Sequence, residues 1–355
     1  MTAPPPHPHV SSPRRRLLIV VVLALALALL AEGMVRWLEP SLPRPAGWPD
    51  EATATKVSQL EAREDRGCTD VVFVGNSMTR DDLVPSVFHQ ADPAGRDAYN
   101  AALDAASPEL LQRWVRDEVL PRTQPATVVI GIASFDLNDA ASAPEAALRA
   151  YDGAPYTASG LAGSIEAAFT RALALVRNRD SLRDPETVIE GIADRVAGRD
   201  APRPSPGGIP GVIAADGHGL SRRDLTFTGA QSTITRLRQQ FLDPFELGGD
   251  QAAALRGLVD EVAVSGAQAV VLSLPVTDAY LRAHPDGLDD VRAYDALLED
   301  TLEGTEAVLV DSPDLPRTAF ADTHHLAGTG ADALSAELPG LLADAGVSDR
   351  ACGAP

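Results

Sequence analysis

Four continuous apolar runs punctuate the chain, at 71–74, 127–132, 269–274 and 307–310, each bounded by turn-forming residues. Runs of this kind fit strands buried on both faces, as in a parallel sheet, rather than strands with one wet face. A shorter fifth strand is predicted at 97–100, ending on Asn100. Helical patterns lie between the strands at 108–119, 250–265, 288–302 and 329–344, and Gly266 follows the second of these as a helix C-cap does. Strands alternating with helices predict an α/β fold, a doubly wound five-stranded parallel sheet whose sites lie at the C-terminal ends of its strands. Residues 140–250 break the rhythm. They carry helical stretches at about 163–177 and 185–198, then a segment rich in proline and glycine (Pro202, Pro204, Pro206, Gly207, Gly208, Pro210). This insertion falls between the third and fourth strands, so it is expected to rise over the active edge of the sheet. It reads either as a lid-like, substrate-binding subdomain or as decoration.

The N-terminus follows a different pattern. Arg14-Arg15-Arg16 precedes an unbroken apolar stretch from Leu17 to Ala31. Continued through Trp37, the helix reaches roughly 31 Å at about 1.5 Å per residue, enough to cross a bilayer. Glu32 and Arg36 then stand at i,i+4 spacing, with Trp37 as an interfacial anchor. The flanks favour a single-pass signal anchor over 17–37 rather than a cleaved signal peptide, and a twin-arginine export signal is a third reading. The arginines place residues 1–16 in the cytoplasm, as a tail in which His7 and His9 are solvated. Everything after about residue 38 is then extracytoplasmic, on the cell membrane. Residues 38–66 begin with Pro40, Pro43, Pro45 and Pro49 and turn charged, which reads as a linker, and 67–349 is the α/β domain.

At 355 residues the chain can bury an ample core, which is aliphatic because aromatics make up only 5%. A formal net charge of -20 argues against a nucleic-acid partner. The two cysteines, Cys68 and Cys352, both fall in the exported part, where disulfides persist. A bridge would staple the two ends of the domain; two unpaired thiols are the alternative.

Candidate chemistry resides in two short motifs far apart in the chain. Val71-Val72-Phe73-Val74-Gly75-Asn76-Ser77 ends a buried strand on a small-residue turn carrying a serine, ahead of Asp81-Asp82-Leu83-Val84-Pro85, which can start a helix. That placement exposes the hydroxyl beside backbone N–H groups able to stabilise an oxyanion. Asp322-Thr323-His324-His325-Leu326 sets an aspartate three residues before a histidine, so one turn can hold a base and the carboxylate that orients it. A metal on Asp322, His324 and His325 is the competing reading, but adjacent histidines point in different directions and no third ligand cluster stands out, so no metal or cofactor is expected. Asp136, Asp139 and the Asp81–Asp82 pair read as caps or solvated acids, and Arg80 as a surface ion pair.

The region 69–345 resembles the SGNH/GDSL hydrolase superfamily, in its membrane-anchored extracytoplasmic branch of polysaccharide O-acetyltransferases and esterases. Its Gly-Asp-Ser block stands here as Gly75-Asn76-Ser77, and its Asp-x-x-His block as Asp322-Thr323-His324-His325, followed by Leu326 and Gly330-Ala331. The resemblance implies a flavodoxin-like SGNH fold with Ser77 as nucleophile, His325 as general base and Asp322 as its partner. The Asn76-for-Asp change is expected to matter little. The middle blocks depart further. The oxyanion glycine falls on Ala105, counted from Asn100, and Gly-x-Asn-Asp aligns with Ala133-Ser134-Phe135-Asp136. Ser77, Ala105 and Ser134 are thus the oxyanion-hole candidates, with Asn138 as a substitute for Ser134. Loss of one such donor slows a reaction by about 100- to 1000-fold.

These readings predict a serine-dependent ester hydrolase or O-acyltransferase acting on acyl esters of cell-wall or exported glycans through an acyl-enzyme. Its partners are then an acylated glycan or other ester substrate, the membrane, and a membrane-bound protein that delivers the acyl donor. A catalytically weak glycan-binding or assembly protein and a membrane-proximal lipid esterase are the alternatives.

Overall fold

The computed structural model describes residues 13–42, 47–154, 156, 165, 168–170, 172–179, 181–199, 206–227 and 231–352, with side chains from Leu17 onward. The chain divides into two units, one formed by Met1–Gly47 with Pro155–Arg203, the other by Trp48–Ala154 with Pro204–Pro355. Residues 1–12 of the N-terminal tail, with His7 and His9, lie outside the described residues, as do 163–164, 166–167 and 171 of the first inserted helix, Pro43 and Pro45 of the linker, and Pro202 and Pro204.

The larger unit is built on five parallel strands: β1 (Val71–Gly75), β2 (Ala98–Asn100), β3 (Thr127–Ile132), β4 (Gln268–Ser273) and β5 (Val308–Asp311). Their order is β2-β1-β3-β4-β5, the flavodoxin-like order, with β1 paired to β2 on one side and β3 on the other. Because successive side chains point to opposite faces, a strand covered on both sides must be apolar on both, and β1, β3 and the middle of β4 are. β5, at the edge of the sheet, buries only Val310 and leaves Leu309 and Asp311 exposed, unlike the fully buried strand expected there. Val72, Val74, Val128, Ile130 and Val271 form one core with helices Pro108–Trp114 and Asp250–Val264. Val71, Phe73, Val129, Val270 and Leu272 form the other with Pro85–Ala91 and Gly328–Asp344. Strand order reverses between β1 and β3, and that crevice is where ligands bind in such sheets.

Several boundaries differ from expectation. The segment read as a linker contains a helix, Glu51–Glu64, capped by Asp50, whose side chain accepts the Thr53 N–H at 2.7 Å. Its buried face holds Val57 and Leu60 among Thr53, Thr55, Lys56 and Gln59, so polar residues disguise a packed helix. The helix expected over 108–119 is regular only to Trp114. It widens into a π-turn over Val115–Val119 ahead of Pro121, which has no N–H to continue the ladder. A helix also begins at Ser77 itself rather than at Asp81.

Cys68 and Cys352 form a disulfide with Cα atoms 5.9 Å apart, tying the approach to β1 to the end of the chain. The Cys352 N–H also donates to Asp70 Oδ1 at 2.7 Å.

The smaller unit carries the helix Pro13–Leu38, which with the turn that follows it includes the segment Leu17–Ser41, long and apolar enough to cross a membrane, with a mean hydropathy of 2.7 over its most apolar 18 residues. The insertion is therefore not one piece. Its helices Ala174–Arg177 and Pro185–Val196 belong to this unit, whereas Ser142–Gly153 and the chain from Pro204 belong to the sheet unit.

Candidate active site

β1 delivers Ser77 to the switch point. Gly75, at φ +153°, lies opposite Gly131 of β3, and a Cβ on it would run into the Thr79 side chain and the Gly131 carbonyl. The chain can therefore turn sharply from strand into the short helix Ser77–Asp82. Asn76 caps that helix: its Oδ1 accepts the Met78 N–H at 2.7 Å, and its Nδ2 donates to both oxygens of Asp136 at 2.8 Å. Asp136 also accepts the Ala133 N–H at 2.8 Å, so the turns after β1 and β3 are locked together. Burial pushes the Asp136 pKa up to about 7 against these donors.

The second motif closes on the first. Asp322 Oδ1 accepts the backbone N–H groups of His324 and His325 at 3.0 and 2.9 Å, which fixes the carboxylate. Its Oδ2 lies 2.9 Å from His325 Nδ1, and His325 Nε2 lies 3.0 Å from Ser77 Oγ. With Nδ1 protonated toward Asp322, the Nε2 lone pair faces the serine hydroxyl. Burial works to raise the Asp322 pKa, but the hydrogen bonds from the His325 ring and from the His324 backbone N–H outweigh it and hold the group well below the usual carboxylate range. His324 is buried against Phe135 and Tyr280, and burial pushes its pKa down to about 3. It is therefore neutral, and its 3.5 Å approach to Asp322 is not an ion pair.

The donor atoms of Asp322, His324 and His325 lie within 4.8 Å of one another. They are committed to one another, however. Asp322 takes the three hydrogen bonds above, and His324 Nδ1 pairs with the Thr323 hydroxyl at 3.0 Å. The arrangement suits proton transfer between Ser77 and an imidazole held by a carboxylate.

A strap from the returning insertion crosses both motifs. Asp216 O accepts from Asn100 N at 3.0 Å, and Gly219 N donates to Arg80 O at 2.7 Å. A Cβ on Gly219 would collide with the Asp81 carboxylate, so only glycine allows this approach. Arg222 donates from Nη1 to Asp81 Oδ2 and places Nε 3.8 Å from Asp322 Oδ2. Arg223 O accepts from Gly328 N at 2.9 Å, and Arg223 Nη2 donates to Asp332 at 2.8 Å.

The acids expected at the surface are largely inside. Asp81 is buried between Arg80 and Arg222, and Arg80 is itself buried, pairing with Asp81 and Asp104. Asp82 is fully buried and accepts the Leu326 N–H at 2.8 Å; burial pushes its pKa well above the carboxylate range. Packing of the helix Ser77–Asp82 against the Asp322–Leu326 loop encloses these groups. Asp139 and Asp136 cap as expected, Asp139 accepting from Gln251 N and Asp136 from Ala133 N, each at 2.8 Å.

Among the oxyanion candidates, Ser77 N–H opens a helix and has no acceptor within it. Ala105 sits at φ +49°, the left-handed conformation that glycine adopts readily, and its N–H has no protein acceptor among the described residues. Its loop is pinned by Leu103 N donating to Gly75 O at 3.0 Å. Ser134 and Asn138 are placed otherwise. The Ser134 hydroxyl lies 2.7 Å from Tyr280 Oη and 2.8 Å from His284 Nε2 in a buried cluster. Asn138 Nδ2 donates to Phe241 O and Pro244 O at 2.8 and 2.9 Å, and its Oδ1 accepts from Glu246 N at 2.8 Å. Each is spent on fastening a neighbouring loop because the chain turns into a 3₁₀ segment, Ser134–Leu137, directly after β3.

A cavity of about 780 Å³ opens beyond the C-terminal ends of β4 and β5, with Phe227, Thr277, Asp314, Arg317 and Phe320 among its walls. Thr277 donates from its hydroxyl and N–H to Thr323 O, at 2.8 and 3.1 Å, so this wall is continuous with the loop carrying Asp322 and His325. Arg222 and the Asn76–Asp136 lock were not singled out from sequence.

No family model matches the chain, and no curated protein matches it. Among solved structures it is similar to a catalytic mutant of an acetylxylan esterase from Geobacillus stearothermophilus, at 12% identity and a TM-score of 0.38, covering 80% of this chain and 97% of that one.

Proposed function

We propose that the chain is a membrane-anchored, serine-dependent ester hydrolase or O-acyltransferase that acts outside the cytoplasm on acyl esters of cell-wall or exported glycans. The observation that carries this reading is the Ser77–His325–Asp322 relay, with contacts of 3.0 and 2.9 Å between residues from opposite ends of the domain. Ser77 Oγ attacks the acyl carbonyl as His325 Nε2 takes its proton, and Asp322 stabilises the imidazolium. The N–H groups of Ser77 and Ala105 receive the developing oxyanion. His325 then returns the proton to the leaving alcohol, which departs and leaves an acyl-Ser77 ester. Water or a sugar hydroxyl, deprotonated by His325, attacks that ester and releases the acyl group as acid or new ester. The Cys68–Cys352 bridge and the apolar N-terminal helix support an exported, anchored location.

A second reading, a glycan-binding protein with weak chemistry, is favoured by the engagement of Ser134 and Asn138 elsewhere, which leaves the third-block oxyanion donor unfilled. One experiment separates the readings. Wild type and Ser77→Ala are given an acetylated oligosaccharide, with and without a second oligosaccharide as acceptor, and products are followed by mass spectrometry. Acetate release or acetyl transfer by wild type alone supports the enzyme. Equal, slow release by both proteins contradicts it.

A further inference from the structure

The smaller unit carries an apolar face that nothing in the catalytic reading uses. Around the end of the apolar helix, Val35, Leu38 and Leu42 are buried by the inserted segment, and Gly191 lies against Leu42 and Leu38. Polar bonds lock the same junction. Glu32 accepts the N–H groups of Ala174 and Leu175 at 2.8 and 3.0 Å, and Arg36 donates to Ala172 O at 2.6 Å. Arg177 donates twice to Glu39, at 2.6 and 2.9 Å, and the Ser41 hydroxyl donates to Arg199 O at 2.9 Å.

Helix Pro185–Val196 turns its opposite face outward. Ile189, Ile192 and Val196, spaced i, i+3 and i+7, are 66%, 44% and 76% exposed. Phe169 and Trp37 of the same unit are also about half exposed. Single exposed apolar residues are ordinary, but a helical stripe of them marks an interaction surface. Depth identifies the occupant. If Leu17 to Trp37 crosses the hydrocarbon layer, Glu32 lies about 8 Å inside its end, at about 1.5 Å per residue. A carboxylate there needs partners that lipid lacks, and the inserted segment supplies two backbone N–H groups. Residues 174–177, bonded to Glu32 inside that end and to Glu39 just beyond it, are therefore held across the boundary of the layer.

We infer that the inserted helices form an interfacial collar around the anchor, with the Ile189–Ile192–Val196 face seated in the headgroup–acyl boundary of the bilayer. The occupant is lipid rather than a second copy of the chain, because the helix packs through Gly191 on Leu38 and Leu42, directly after the membrane-crossing segment. Charges of both signs border the stripe, Glu186 and Glu190 at one end and Arg195 at the other, so attachment is driven by apolar burial and does not require anionic lipid. The inference rests on the anchor reading of residues 17–37.

The test uses the full chain in phosphatidylcholine vesicles, with an environment-sensitive fluorophore on single introduced cysteines; the native pair is held in its disulfide. The sites are Ile189→Cys, Val196→Cys, Leu25→Cys in the span, and Val264→Cys, which is 89% exposed on the sheet unit. Labels at 189 and 196 should be quenched by nitroxide-labelled lipid at least twofold more than the label at 264, and by aqueous iodide less. If Leu25→Cys is quenched by lipid while iodide reaches 189 and 196 as readily as 264, the collar is overturned and the anchor stands. Protection of 189 and 196 from both quenchers also overturns it, in favour of a protein partner. If iodide reaches Leu25→Cys, anchor and collar fall together.

Discussion

Arg222 lies between Asp81 and Asp322, donating to the first and standing 3.8 Å from the second, although it belongs to a segment far from both in sequence. The guanidinium thereby links the helix that begins at Ser77 to the carboxylate that holds His325. It is a positioning residue, since it touches neither Ser77 nor the imidazole. Arg222→Ala should lower kcat about 10-fold, about 1.4 kcal/mol of barrier, with KM little changed. Arg222→Lys should recover only part, because an ammonium cannot reproduce the two-sided fork. Steady-state kinetics on an acyl ester measures the split; a change confined to KM would assign Arg222 to substrate binding instead.

The Asn76–Asp136 lock predicts an effect that the sequence comparison discounts. Asn76→Asp sets two buried carboxylates where an amide now donates to both Asp136 oxygens. Folding stability near pH 7 should fall by about 2 kcal/mol, with recovery in acid as the pair takes up a proton. The double substitution Asn76→Asp with Asp136→Asn restores one amide and one carboxylate, and should regain most of the loss. Urea midpoints for the two single and the double variants test this, and strict additivity would contradict it.

His324 makes stability depend on acidity. Its pKa is about 3 in the folded chain against 6.5 for an unperturbed histidine, so between those values only the unfolded chain holds the proton. Stability should therefore fall as pH drops from 6.5 toward 3, by up to about 1.4 kcal/mol per pH step from this group. His324→Gln should flatten that limb. Asp136, whose raised pKa makes stability fall as pH rises from about 4 to about 7, is common to both proteins and cancels in the difference. Thermal denaturation across pH reports the contrast; parallel curves would refute it.

Ala105 holds a left-handed backbone conformation at φ +49°. Ala105→Gly removes a steric penalty of about 1–2 kcal/mol but adds unfolded-state entropy, so a net gain of about 0.5 kcal/mol is expected, with activity retained. A lower denaturation midpoint would show that the Ala105 methyl contributes packing that outweighs the strain.

Much of this architecture is legible in the chain because parallel strands bury both faces, so Val71–Val74 and Thr127–Ile132 read as unbroken apolar runs. Ser77, Asp322 and His325 were legible because a strand-ending serine and an Asp-x-x-His turn are local patterns. Helix Glu51–Glu64 was not, because its buried face uses Thr55, Lys56 and Gln59, with the Lys56 ammonium satisfied by the distant carbonyls of Asn100 and Gly217. Ser134 and Asn138 misled because spacing after β3 does not reveal which way a 3₁₀ turn aims its side chains. Arg222 reaches Asp81 across 141 residues, and no local pattern encodes that pairing.

In the proposed reaction His325, oriented by Asp322, makes Ser77 a nucleophile. The most direct measurement of this role is the rate and site of covalent modification by a fluorophosphonate, read by peptide mass spectrometry. A single adduct should form on the peptide containing Ser77, absent in Ser77→Ala and formed at least 100-fold more slowly in His325→Ala. An unmodified Ser77 in the wild-type protein, or equal labelling of wild type and His325→Ala, would contradict it.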